Sequence, residues 1–110
     1  MERNNEIIKP TIIIYTTPTQ ANGPMLTAIL NGIEEESVFC AVRQENADAK
    51  SLSEKAAKES RLEVGIGIDD KHVSLSYKRM DTPMFFEPVD IVSRKIGTNA
   101  ARLVKNVPFL

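Results

Sequence analysis

The chain has 110 residues, a formal net charge of −1, one histidine and one cysteine. That length allows one domain with a respectable core, and its interspersed acids and bases leave no basic footprint for nucleic acid or a membrane surface. Cys40 has no partner for an internal disulfide, Met1–Glu6 is polar rather than signal-like, and the apolar run around Ile12–Ile14 is too short to span a bilayer; together these features favour a cytosolic, reducing compartment.

A single α/β domain is expected over 1–110, with 1–8 as a flexible N-terminal segment. Thr11 to Tyr15 is a β-branched run without alternation, the pattern of a strand covered on both faces. Thr16 to Gly23 is a loop rich in Thr, Pro, Asn and Gly. A helix follows over roughly 24–35. Asn22 or Gly23 caps it, Pro24 suits its first position, and Met25, Leu26, Ile29, Leu30 and Ile33 recur at helical spacing. Val38 to Val42 reads as a short buried strand, with Cys40 as an inert thiol within it.

A second helix is expected from Ser51, where Ser51 and Glu54 fit a capping box. Its body is polar, so Leu52, Ala56 and Ala57 give only a thin contact stripe. Leu62 to Ile68 is a third strand, Asp69 to Lys71 a tight turn, and His72 to Tyr77 its alternating antiparallel partner. Met84 to Phe86 makes a fifth strand. The last helix starts at Asp90 or Ser93 and runs to Lys105, burying Ile96, Ala100, Leu103 and Val104. Gly97 either loosens this helix or permits a close backbone contact. Strand–helix alternation followed by a hairpin predicts a three-layer α/β sandwich with a mixed, mostly parallel five-stranded sheet.

Glu34, Glu35 and Glu36 fall in the last turn of the first helix, where the backbone carbonyls already carry partial negative charge. Each carboxylate there costs a few tenths of a kcal/mol, up to roughly 1 kcal/mol. A cation or a basic group would convert that cost into a gain. Rotation by about 100° per residue turns Glu36 back toward the apolar stripe, leaves Glu34 on its flank and points Glu35 outward. A solvated acidic helix end also accounts for the run, since exposed charge runs are common.

Catalytic signatures are sparse. Val64-Gly65-Ile66-Gly67 lies inside a strand and lacks a third glycine, so close sheet–helix packing explains it better than a dinucleotide site. The sequence contains no G-x-x-x-x-G-K-[ST] phosphate loop. His72 reads as a surface residue, and Asp69 and Asp70 as turn formers. These readings point to a small α/β protein that works through its surface.

Three segments carry more. They are Gly32-Ile33-Glu34-Glu35-Glu36-Ser37-Val38-Phe39, then Val64 to Asp69 with Tyr77-Lys78, and then Gly97 to Phe109, which includes Asn99-Ala100-Ala101-Arg102-Leu103-Val104-Lys105. In this order and spacing the chain resembles the small subunit of diol/glycerol dehydratase reactivase, a reactivating factor for coenzyme-B12-dependent dehydratases. The likeness covers about residues 10–109.

The resemblance implies a noncatalytic subunit with a fold similar to the dehydratase medium subunit. It binds no cofactor alone, and ATP and ADP belong to a large ATPase partner in an α2β2 heterotetramer. The small subunit is expected to yield its place to the dehydratase medium subunit, so that the loosened dehydratase, a transient partner, exchanges damaged cobalamin for adenosylcobalamin. No nucleic-acid or membrane partner is implied. The setting is cytoplasmic, with a bacterial microcompartment as an alternative.

By the same resemblance Glu35 helps to ligate a Mg2+ ion held mainly by the large subunit, and Glu34, Glu35 and Glu36 form the interface. Two departures stand out: Ser37 follows the glutamates where a glycine is common, and no charged tail follows Leu110. The alternative is a medium subunit, or a fragment of one, of the dehydratase itself. An unrelated small α/β enzyme fits the fold but lacks a site.

Overall fold

A computed structural model describes residues 10–109; residues 1–9, which include the expected flexible segment 1–8, and Leu110 lie outside them. The elements are β1 (Ile12–Thr16), α1 (Pro24–Glu35), β2 (Cys40–Gln44), α2 (Ala49–Glu59), β3 (Val64–Ile68), β4 (His72–Tyr77), β5 (Phe85–Pro88) and α3 (Lys95–Lys105), with a short 3-10 turn over Pro18–Gln20. One sheet runs β2-β1-β3-β4-β5. β1 pairs in parallel with β2 and β3, while β4 is antiparallel to both β3 and β5. Four strands therefore point one way and only β4 is reversed, as the strand–helix alternation predicted.

The sheet order places β2 on one side of β1 and β3 on the other. Right-handed crossovers then put α1 and α2 on opposite faces. β1 lies inside the sheet between β2 and β3 and all five of its residues are buried, which explains its unalternating sequence. On one face α1 and α3 cover a core that includes Ile12, Ile14, Ile29, Ile33, Ile66 and Leu75. On the other, α2 covers Ile13 and Tyr15 with Leu52 and Ala56.

That second face is partly polar. Ser53 of α2 lies 2.8 Å from the Ser74 hydroxyl and 2.7 Å from that of Ser76, so the alternating polar residues of β4 are buried under a helix. Gly65 and Gly67 make that approach possible. A Cβ at Gly65 would lie 2.2 Å from the Ala57 amide nitrogen, and one at Gly67 would lie 2.3 Å from the Ala49 carbonyl. Their G-x-G is a packing device.

Several boundaries differ from the sequence expectation. α2 begins at Ala49, and its cap is Asp48, whose carboxylate accepts from the Ser51 amide at 2.7 Å. Ser51 is thus the third helical residue rather than the cap. β2 is an edge strand shifted to Cys40–Gln44, with its last three residues exposed, so Cys40 is half-buried instead of buried. β5 extends to Pro88, which an edge strand tolerates because its outer amide needs no ladder partner. α3 starts at Lys95, after Ser93 and Arg94 have made the turn into it. No helix among the described residues is long and apolar enough to cross a membrane.

Candidate functional site

The acidic run lies where α1 ends against α3. Gly32 and Gly97 bring the two helices into backbone contact: a Cβ at Gly32 would be 2.5 Å from the Arg94 carbonyl, and one at Gly97 only 2.2 Å from the Ile29 carbonyl. Of the two readings of Gly97, close approach is the one realised. Ile33 is fully buried and anchors the final turn.

Beyond Ile33 the helix closes with paired capping bonds. The Val38 amide donates to the Ile33 carbonyl at 3.4 Å, and the Ser37 amide to the Glu34 carbonyl at 2.9 Å. This is the Schellman arrangement, with Ser37 at φ 62° in the left-handed region that favours glycine. Its amides satisfy carbonyls of the last turn, the same groups that make this end negative.

The three glutamates then take different roles. Glu36 turns inward, with its side chain 18 % exposed; Lys105 Nζ donates to its carboxylate at 3.0 Å, and Arg102 Nε lies at 3.5 Å. Lys105 also donates to the Glu36 carbonyl at 3.2 Å. The hydrogen bond from Lys105, and then the charges of Lys105 and Arg102, hold the Glu36 carboxyl below its ordinary range against partial burial.

Glu35 points outward and pairs with Arg94, the residue preceding α3; both side chains are more than half exposed. Glu34 is exposed and lines a separate, mostly apolar groove with Leu30, Val38, Phe39 and Cys40. Burial, and then the negative charge of Glu34, push the Cys40 thiol up, away from a reactive thiolate.

The acidic helix end is therefore compensated from within the chain. The sequence pattern alone does not connect Arg94, Arg102 and Lys105 with Glu35 and Glu36. A signal existed: Arg102 and Lys105 lie three residues apart, hence on one face of α3, and the acids of α1 called for counter-charge.

The other titratable residues serve structure. Burial opposes ionisation of Asp69, but amides of His72 at 2.6 Å, Lys71 at 2.7 Å and Ala49 at 2.8 Å outweigh it and hold its carboxyl low. The His72 ring stacks on Phe86 with centroids 4.5 Å apart. Sheets of this kind take ligands at the carboxyl ends of the strands where the connections diverge, which here is between β1 and β3. That position is bridged by the chain itself. The Thr17 amide donates to the Ile68 carbonyl at 3.0 Å, and the Thr19 and Thr17 hydroxyls donate to Asp70 at 2.5 and 3.3 Å. Among the described residues no cluster of three His, Cys, Asp or Glu could hold a metal ion.

Residues 9–110 match the family model described as dehydratase medium subunit. The propanediol dehydratase-reactivating factor small subunit of Citrobacter freundii is 36 % identical over 117 aligned positions, covering 99 % of this chain and 96 % of that protein. The diol dehydratase-reactivating factor small subunit of Klebsiella michiganensis is 34 % identical, covering 74 % and 70 %. Among solved structures, a glycerol dehydratase reactivase superposes with a TM-score of 0.85 at 28 % identity, covering 92 % of this chain and 96 % of that one. A diol dehydratase-reactivating factor complexed with ADP and Mg2+ superposes at 0.82 and 31 % identity, covering 94 % and 99 %.

Proposed function

The chain belongs to the dehydratase medium-subunit family, as a small subunit of the dehydratase-reactivating type, and from that premise we propose that it exchanges places with a true medium subunit. One observation carries this reading. A chain that matches the medium-subunit model along nearly its whole length is also similar, over most of its length, to small subunits of reactivating factors. One fold thus serves both an enzyme and the factor that repairs it. Two chains of one fold can compete for one docking surface.

In this reading the chain is noncatalytic and sits on a large ATPase subunit in an α2β2 heterotetramer. It vacates that site when the medium subunit of an inactivated, coenzyme-B12-dependent diol or glycerol dehydratase docks there. The loosened dehydratase then releases damaged cobalamin and accepts adenosylcobalamin. ATP hydrolysis in the large subunit drives the cycle; the present sequence has no phosphate loop of its own. The chain acts wherever the dehydratase resides, in the cytoplasm or in a bacterial microcompartment.

The helix end of Glu34, Glu35 and Glu36 is the proposed contact with the large subunit, and Glu35 the proposed ligand to a Mg2+ ion there. The donor set fits a shared ion. A hard cation takes oxygen ligands, and Glu35 offers an outward carboxylate once its pair with Arg94 opens, so the remaining ligands would come from the partner. Glu35 would hold the ion together with oxygen ligands of the partner, and the ion would supply the positive charge that ties the two subunits together. Glu35 presents its oxygen from a helix end fixed by Ile33 and by the capping bonds. Glu36, held by Lys105 and Arg102, keeps that end in place against α3. Glu34 borders the apolar groove beside it.

The test is reactivation of cobalamin-inactivated dehydratase with purified large subunit, ATP, Mg2+ and adenosylcobalamin, with and without this chain. Activity should return only when both subunits are present. Full recovery with the large subunit alone would overturn the proposal. If the chain instead restored activity in place of the dehydratase medium subunit, the family match would favour the enzyme-subunit reading.

A further inference from the structure

Glu35 and Arg94 face each other across the groove between the end of α1 and the start of α3, which Glu36, Ser93, Lys95, Thr98 and Arg102 also line. The charges around it are unevenly committed. Glu36 is already occupied by Lys105 and Arg102. Lys95 is exposed and forms no ion pair with a described residue. If Glu35 is given over to a cation on a partner, as the preceding reading holds, Arg94 and Lys95 are left at the contact without counter-charge. A guanidinium covered by a partner and left unpaired would oppose docking strongly.

Opening the existing pair is cheap by comparison, because ion pairs between exposed side chains are weak. The Arg94 backbone need not move. Its carbonyl accepts from the Thr98 amide at 2.9 Å and lies over Gly32, so only the side chain must swing.

We infer that the Glu35–Arg94 pair is exchanged on assembly, and that the partner face is acidic, holding a divalent cation for Glu35 and a further carboxylate that receives Arg94. The inference rests on the reading of Glu35 as a ligand to a shared cation. It adds a second anchor from this chain and specifies the partner's charge.

The test measures affinity of the full chain for the large subunit in Mg2+ at low and high salt. The variants are Arg94→Ala, Arg94→Lys and Glu35→Gln, and the thermal midpoint of each free chain serves as the fold control. Arg94→Ala should bind roughly tenfold or more weakly, the size of a lost charge-assisted hydrogen bond. That loss should shrink at high salt, and Arg94→Lys should recover part of it by keeping the charge without the planar fork. The midpoints should stay close to wild type.

Unchanged or tighter binding of Arg94→Ala, with Glu35→Gln weakened, would overturn the exchange alone. If neither Glu35→Gln nor removal of Mg2+ changed the affinity, the cation reading would fall and the exchange with it.

Discussion

Gly97→Ala sets two effects of opposite sign against each other. On an isolated helix, replacing glycine with alanine stabilises by about 1 kcal/mol. Here the new Cβ would sit 2.2 Å from the Ile29 carbonyl oxygen, 2.9 Å from its carbon and 3.0 Å from the Ile29 Cα. All three are backbone atoms of α1, so no side chain can rotate away. Ordinary contact requires α1 and α3 to separate by roughly 1 Å, and inserting atoms into a packed core typically costs about 1–3 kcal/mol. Ile29 and Ala100 are fully buried and Ile96 nearly so, which leaves little slack. The contact should win, with a net loss of up to about 2 kcal/mol and a fall in thermal midpoint of up to about 10 °C for a domain this size. Urea and thermal unfolding of the variant measure it. A more stable Gly97→Ala would refute the backbone contact between the helices, and with it the geometry that sets Arg94 beside Glu35.

Other variants probe separate parts of the account. Ser37→Gly should stabilise by about 0.5–1 kcal/mol, because a left-handed residue with a Cβ is strained; a destabilised variant in urea unfolding would refute that capping geometry. Asp48→Ala should lose about 1 kcal/mol as a helix cap, and a larger loss on Ser51→Ala would restore Ser51 as the cap. The Asp69 carboxyl is held low in the folded chain, so its contribution to stability is present above its unfolded value of about 3.9 and is lost as the pH falls through the lower folded value. Asp69→Asn should therefore flatten the acid limb of a stability–pH profile taken by urea unfolding, and an unchanged limb would contradict its three amide bonds.

Much of the fold was legible because burial writes itself into residue type. β1 reads as a strand covered on both faces from its unbroken β-branched run, and α1 from its apolar period and Pro24. The edges were less legible. Val38 to Val42 looks like a buried strand, yet β2 starts two residues later and exposes Val42, because an edge strand packs against one neighbour only. Ser74 and Ser76 look like a solvent face, and only the tertiary position of Ser53 shows that they are buried.

At the site, helical rotation separated outward Glu35 from inward Glu36 without any partner in view. What rotation could not supply was the counter-charge. Arg94 follows Glu35 by 59 residues, and Lys105 follows Glu36 by 69. Their approach depends on Gly32 and Gly97 letting α3 cross α1, a close contact that a linear pattern does not encode.

The most direct measurement is a cycle of calorimetric titrations of the chain into the large subunit, wild type and Glu35→Gln, each with Mg2+ and with chelator. Wild type should bind more weakly once Mg2+ is removed, whereas Glu35→Gln should bind weakly in both conditions with its fold intact. Equal Mg2+ dependence in the two proteins would contradict the placement of Glu35 on a shared cation.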